Sequence, residues 1–286
     1  MTSILILNHN GLDHLRKCVL AVQAFTDVPY ELIVIDNGST DGSQEYLRTL
    51  DAADLTVLEN PENIGCPPAR AQGMALAEGD YVVFLDNDAV VTPGWLSRLI
   101  GHCEADQALG LLGPSTNFIS GPQMLPDIEY EDTAELVTIA EEIAVKCAGV
   151  LQRTTHLVGF CMFIRRAVMD KIGCCDPRFG RYGFEDDDYC LRAVLAGFDV
   201  YIARDVFIHH VGSQGSSAGG HDYLTLVREA WEVFRAKWAL PVSVTFEAYV
   251  GDRSHYVPDR PFDPTIDYVP APDRAGLTPL ITRRVH

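Results

Sequence analysis

Positive charge is the first thing this sequence is short of. Its 286 residues hold 22 Lys and Arg against 40 Asp and Glu, a formal net charge of −18. A nucleic-acid surface needs clustered cations to displace counterions from phosphates, so no nucleic-acid partner is expected. Nor is there a polybasic amphipathic helix to adsorb on an anionic leaflet. No apolar run approaches the length of a membrane span, and the N-terminus has no charged segment ahead of an apolar core. We therefore expect no leader and no stable membrane insertion. The eight cysteines form no C-x-x-C pair, and the adjacent Cys174 and Cys175 are poorly placed to bridge each other. That disfavours a zinc cage and points to reduced thiols in a cytoplasmic setting. G-x-G-x-x-G and Walker motifs are missing, which removes the main support for nicotinamide and P-loop chemistry. There is no internal repeat.

What is present is a folding sequence, 47% hydrophobic and 22% charged. Short apolar runs at residues 3–7, 31–35, 55–58 and 81–85 read as strands, and helix-period stretches at 12–24, 42–50 and 69–77 separate them. Pro67 and Pro68 suit the start of the last of these helices. Continuous apolar strands alternating with helices predict an α/β fold, a mainly parallel sheet with helices on both faces. Three strands end in polar residues: Asn8-His9-Asn10, Asp36-Asn37-Gly38 and Asp86-Asn87-Asp88. In an open parallel sheet these ends share the carboxyl edge, where ligands bind.

Beyond residue 110 the pattern changes. Residues 127–142 carry seven acids and no Lys or Arg, read as a solvated helical face plus loop. A strand is expected at 157–164, then helices to 172 and from 185 to about 196, a strand at 200–208, and a helix at 221–238. In that last helix Trp231, Phe234 and Trp238 read as core. Residues 211–220 are Gly/Ser-rich and read as flexible. Seven of the 16 prolines fall after residue 240, so 241–286 reads as an extended tail packing on the domain or a neighbour.

Several constellations could carry chemistry. Two carboxylates one residue apart at a strand end, Asp86 and Asp88, can hold a hard divalent cation and leave positions open for phosphate oxygens. The plainer reading is an Asp-rich turn. Asp36 heads an unbroken run of turn formers; it is either a loop residue or a strand-end acid that contacts a nucleoside. Glu185 to Asp188 are four consecutive acids at a helix start, where the macrodipole favours one or two of them. Their mutual repulsion should raise the pKa of at least one, a property useful to a general base. Of His209 and His210, only one can face a given side of a strand, and one of them is a plausible third metal ligand.

In order along the chain these pieces resemble a family 2 inverting glycosyltransferase of the nucleotide-sugar-binding GT-A fold. The resemblance runs over residues 4–212 and rests on Leu7-Asn8-His9-Asn10, Val34-Ile35-Asp36-Asn37-Gly38-Ser39, Asn63-Ile64-Gly65 with Ala69-Arg70, and Phe84-Leu85-Asp86-Asn87-Asp88 with Pro93-Gly94-Trp95. It continues through Gly159 with Arg165-Arg166, Phe184-Glu185-Asp186-Asp187-Asp188 and His210-Val211-Gly212. It implies a GT-A domain over 1–240, with a nucleotide-binding half (1–110), an acceptor-binding half (111–240) and a C-terminal extension (241–286). It also implies a nucleotide-sugar site, preferably for a UDP-sugar, lined by Asn8, His9, Asn10, Asp36, Asn63, Gly65, Arg70, Asp86, Asn87 and Gly159. Asp88 and Asp86 would bind Mn²⁺ or Mg²⁺ with His210, or alternatively His209. Asp186 would be the catalytic base and Glu185 would position the acceptor, a saccharide, glycolipid or peptide. The loop 212–220 would close over the donor, and the tail could serve a homodimer contact. Cys66-Pro67-Pro68, and Ala71 where Asn often follows the Arg, depart from many relatives and leave donor specificity open.

Two other classes compete. Asp86-Asn87-Asp88-Ala89-Val90 satisfies the D-x-D-x-[TV] pattern of haloacid-dehalogenase-like phosphatases, in which the first Asp is a nucleophile. That motif normally opens the chain, whereas two strand–helix units precede it here. The other class is a catalytically inactive nucleotide-sugar or glycan-binding module.

Overall fold

The structure, a computed structural model, describes residues 1–126, 128–212 and 223–285. The chain opens with β1 (Thr2–Asn8), α1 (Leu12–Phe25), β2 (Tyr30–Asn37), α2 (Ser43–Thr49), β3 (Leu55–Asn60), α3 (Cys66–Leu76) and β4 (Tyr81–Asp86), the alternation expected from the patterning. β1 pairs in parallel with β2 and β4, and β2 with β3. Alternate residues of each strand enter different cores. Ile4, Ile6, Val34 and Leu85 pack with Leu15, Val19 and Val22 of α1. Leu5, Ile33, Ile35 and Phe84 pack with Ala69 and Met74 of α3. Burial on both faces is why these strands are apolar throughout.

The chain continues through β5 (Ala89–Val90), α4 (Trp95–Ala105), β6 (Leu109–Ser115), α5 (Thr133–Lys146), β7 (Leu151–Thr154), β8 (Cys161–Arg165), α6 (Arg166–Ile172) and α7 (Glu185–Leu195). β9 (Asp199–Phe207), β10 (His209–His210), α8 (Tyr223–Lys237), α9 (Phe246–Gly251), α10 (Arg274–Leu277) and β11 (Ile281–Arg284) follow. The main sheet runs β11-β3-β2-β1-β4-β8-β6-β9-β7 and is mixed. β8 lies antiparallel between β4 and β6, β6 and β9 are parallel, and the two edge strands are antiparallel to their neighbours.

The strand expected at 157–164 starts only at Cys161. Before it, the Leu157 N–H donates to Cys190 Sγ and the Val158 N–H to Gln123 Oε1, so side chains take the donors a ladder would use. The sequence pattern read above leaves out α4, whose Trp95, Leu96, Leu99 and Cys103 nonetheless follow a helical period, and it leaves out β6, β7 and β11, which have no such signal. In β6, Gly113 and Pro114 are poor strand formers, and the strand is held by burial of every residue.

The acidic face of α5 is exposed while Leu136, Ala140 and Ala144 pack inward, and the Asp132 carboxylate caps the helix; Asp127 lies outside the described residues. Trp231, Phe234 and Trp238 are buried as expected. The proline-rich tail returns to the sheet, where β11 adds to β3. No helix among the described residues is long and apolar enough to cross a membrane.

Candidate active site

The ends of β1, β2 and β4 meet at the carboxyl edge. Register places Asn8 beside Asp36, and the Asn8 amide donates to Asp36 Oδ2 at 3.0 Å. Asp36 Oδ1 accepts from the Ser39 N–H at 2.9 Å and from Gln44 Nε2 at 3.0 Å. Asn87 donates to Asn8 Oδ1 at 2.7 Å, and the His9 ring donates through Nδ1 to the Asn37 carbonyl at 2.9 Å. Asn10 receives the Thr40 N–H, and Asn63 Oδ1 receives both Asn37 Nδ2 and the Gly65 N–H. These residues form one network. Asp36 is fully buried within it, and its carboxylate is already engaged by protein donors.

Arg70 stands outside that network. From α3 its Nη2 donates to Asp86 Oδ1 at 2.9 Å and to the Gly159 carbonyl at 2.8 Å, and Nη1 donates to Glu185 Oε1 at 3.1 Å. Its guanidinium also covers the Phe84 ring. Gly159 lets it approach: a Cβ there would stand 2.5 Å from Nη1. The Gly159 N–H donates to Asp186 Oδ2 at 3.1 Å, so one glycine touches the arginine and the second acid of the E-D pair.

Asp86, Asp88 and His210 offer ligand atoms that lie within 4.8 Å of one another. β5 and β10 bring them together, since Ala89 pairs with His210 directly after Asp88. His210 Nε2 is 3.4 Å from Asp88 Oδ1 and 4.0 Å from Asp86 Oδ2. Its Nδ1 donates to the Phe118 carbonyl at 2.8 Å, which leaves the Nε2 lone pair facing the carboxylates. Burial pulls the imidazole pKa down, but the two carboxylates more than offset this and hold it above its ordinary value. Asp86 is pushed up, chiefly by burial and then by Asp88, against Arg70. Burial works on Asp88 in the same sense, yet His210 and the Gly212 N–H hold it down. Two hard oxygen donors and a tautomer-fixed imidazole suit a divalent cation such as Mn²⁺ or Mg²⁺. His209 turns the other way, to Tyr130 and Asn117.

Helical rotation sends the four acids of α7 to different partners. Glu185 Oε1 takes Arg70 and Oε2 takes the Gly183 N–H; burial, then Asp186, push its carboxyl up to about 7. Asp186 stays partly exposed beside the metal-ligand cluster's arginine link. Asp187 is buried with Arg253, Tyr249 and His156; burial opposes ionisation, but His156 and Arg253 hold its pKa at about 2. Asp188 pairs with Arg192 at 2.8 Å and Lys237 at 2.5 Å. The second half of the cluster therefore serves structure.

The family model for glycosyl transferase family 2 matches residues 3–173. The chain belongs to that family. It is 28% identical over 212 residues to glycosyltransferase AglE of Haloferax volcanii, which covers 73% of this chain and 66% of that protein. It is 26% identical over 198 residues to a pre-mycofactocin glycosyltransferase of Mycobacterium tuberculosis, covering 68% of this chain and 39% of that one. The chain thus spans two thirds or less of these relatives. Among solved structures, GalNAc-T7 with UDP, GalNAc and Mn²⁺ superposes with a TM-score of 0.59 at 18% identity, covering 90% of this chain and 55% of that one. The mannosyltransferase PcManGT of Pyrobaculum calidifontis, in complex with GDP-Man and Mn²⁺, gives 0.56 at 18% identity over 87% of this chain and 69% of that one. These likenesses show the GT-A fold.

Within this glycosyl transferase family 2 chain, the sequence pattern missed several participants. Gln44 and Ser39 complete the shell of Asp36, and Cys66 Sγ stands 3.5 Å from Glu185 Oε1. The Phe118 carbonyl and Gly212 N–H act through backbone, which side-chain chemistry cannot announce. Of the expected donor-closing loop 212–220, only Gly212 lies within the described residues.

Proposed function

We propose that this chain is a metal-dependent inverting glycosyltransferase that moves a sugar from a nucleotide-sugar donor, preferably a UDP-sugar, to an acceptor hydroxyl. The observation that carries this reading is the Arg70 link: one buried guanidinium ties Asp86 of the metal-ligand cluster to Glu185 of the acid pair. One side chain thereby holds the metal-ligand cluster against the helix start that carries Asp186, which supports the two acting on one substrate. Asp86, Asp88 and His210 would hold the cation, which when bound neutralises charge developing on the diphosphate. The Asn8–Asp36 network supports residues 1–110 as the nucleotide half, and Asp186 supports 111–240 as the acceptor half.

Asp186 takes the acceptor hydroxyl proton as that oxygen forms its bond to the anomeric carbon. The bond from the anomeric carbon to the phosphate oxygen breaks on the opposite face, and its electron pair leaves with the nucleoside diphosphate. In-line attack of this kind inverts the anomeric centre. Glu185, held by Arg70 and the Gly183 N–H, lines the same wall and positions the acceptor. A saccharide, glycolipid or peptide hydroxyl would meet this chemistry, and the net charge of −18 favours a neutral or basic acceptor and no nucleic acid. Eight free cysteines support a reducing, cytoplasmic setting.

Melting curves with UDP-, GDP-, dTDP- and CMP-sugars, each with Mn²⁺ and with EDTA, test the donor. A UDP-sugar should raise the melting temperature only with metal. Asp186→Asn should keep that shift and lose transfer by about 10²-fold or more. No shift with any nucleotide sugar overturns the reading, and a shift without turnover favours a binding module.

A further inference from the structure

The acid pair Glu185-Asp186 is gripped on both sides by residues that lie beyond the family match, which ends at residue 173. On the N-terminal side is Phe184, a non-glycine residue at φ +64°. Its ring packs among Trp231 at 5.4 Å, Phe234 at 5.2 Å, Phe246 at 6.0 Å and Tyr249 at 5.9 Å. A left-handed backbone at a bulky residue persists only where its surroundings over-determine it, and this cluster does so. On the C-terminal side, Asp187 Oδ1 accepts from Arg253 Nε at 2.7 Å and from the Tyr249 hydroxyl at 3.1 Å. His156 Nδ1 lies 3.1 Å from Asp187 Oδ1, off the line of a hydrogen bond, and neither of its ring nitrogens bonds another described residue.

We propose that Tyr249 and Arg253 of the C-terminal extension are positioning residues for Asp186, acting through Asp187. The path is short. The Asp187 N–H donates to Asp186 Oδ1 at 2.9 Å, while the Gly159 N–H holds Oδ2 at 3.1 Å. Two backbone donors therefore aim the Asp186 carboxylate. One of them sits on a residue whose side chain is fixed by the extension. If Arg253 lets go, Asp187 keeps a buried charge with fewer partners and the first turn of α7 must shift. A displacement of that kind at a base costs rate far more than binding. The inference rests on Asp186 being the base.

Two readouts separate this proposal from that reading. Hydrogen exchange at amides 185–188, measured without ligand, should quicken in Arg253→Met and return toward wild type in Arg253→Lys. Metal-dependent hydrolysis of the sugar nucleotide that the melting screen selects, with water as acceptor, should fall about tenfold in kcat in Arg253→Met. The donor KM and the Mn²⁺-dependent melting shift should not move. Should Arg253→Met fail to fold, Tyr249→Phe carries the test. It keeps the ring in its cluster, removes one hydroxyl, and should show the same effects to a smaller degree. Unchanged exchange at 185–188, or wild-type kcat in a folded variant, overturns the proposal. A wild-type protein that neither binds nor hydrolyses any donor overturns the glycosyltransferase reading instead, and the exchange experiment then still decides the tie.

Discussion

Arg70 reaches Glu185 with a 3.1 Å hydrogen bond across 115 residues of sequence, and both side chains are buried. The same guanidinium is bonded to Asp86. A buried charge that loses its partner costs far more than the pair contributes, because desolvation is no longer offset. Arg70→Met should therefore destabilise the fold by roughly 3–5 kcal/mol, read from urea denaturation. Arg70→Lys, which keeps charge but loses the fork, should fall between. A stability equal to wild type would show that the carboxylates find other partners.

Gly159→Ala makes a separate expectation about the same guanidinium. The new methyl would stand 2.5 Å from Arg70 Nη1. An arginine terminus normally yields, but this one is held by three acceptors. We expect a loss of about 1–3 kcal/mol, together with loss of transfer activity. A stable, fully active variant would mean that the clash is relieved without moving Arg70.

The Glu185 carboxyl ionises at about 7 in the folded chain against an ordinary 4.5. Its folded pKa is raised, so its stabilising contribution is complete below 4.5 and is lost as pH rises through about 7. Glu185→Gln removes that titration. Plotted against pH, the stability of wild type should fall relative to the variant across this window, and parallel curves would refute the assignment.

For the histidine pair, Asp88→Ala and His210→Ala should both lose the Mn²⁺-dependent rise in melting temperature. His209→Ala should keep it, because that ring faces Tyr130. An equal loss in both histidine variants would place His209 among the ligands.

Much of this arrangement is legible in the order of residues. Burial on two faces demands apolar strands, and the polar residues that interrupt them mark the ligand edge, so Asn8, Asp36 and Asp86 were found as strand ends. Asp86 and Asp88 stand out as two carboxylates at a strand end, and Glu185 to Asp188 because four consecutive acids repel one another. Other parts had no local signal. β6 is a strand by burial alone, and β11 pairs with β3 from the far end of the chain.

The alternation of strands and helices, the polar edge, and the identity of the acids and histidines gathered there are all written in the order of residues. Local pattern suffices for these, because side-chain period and turn chemistry act over a few residues. Which histidine faces the carboxylates, which of four adjacent acids remains partly open, and the link that Arg70 makes between the two acidic motifs emerge only on folding. Those outcomes depend on β5 pairing with β10, on the rotation of α7, and on partners such as Lys237 and Arg253. Contacts between residues that distant exist only once the chain has folded.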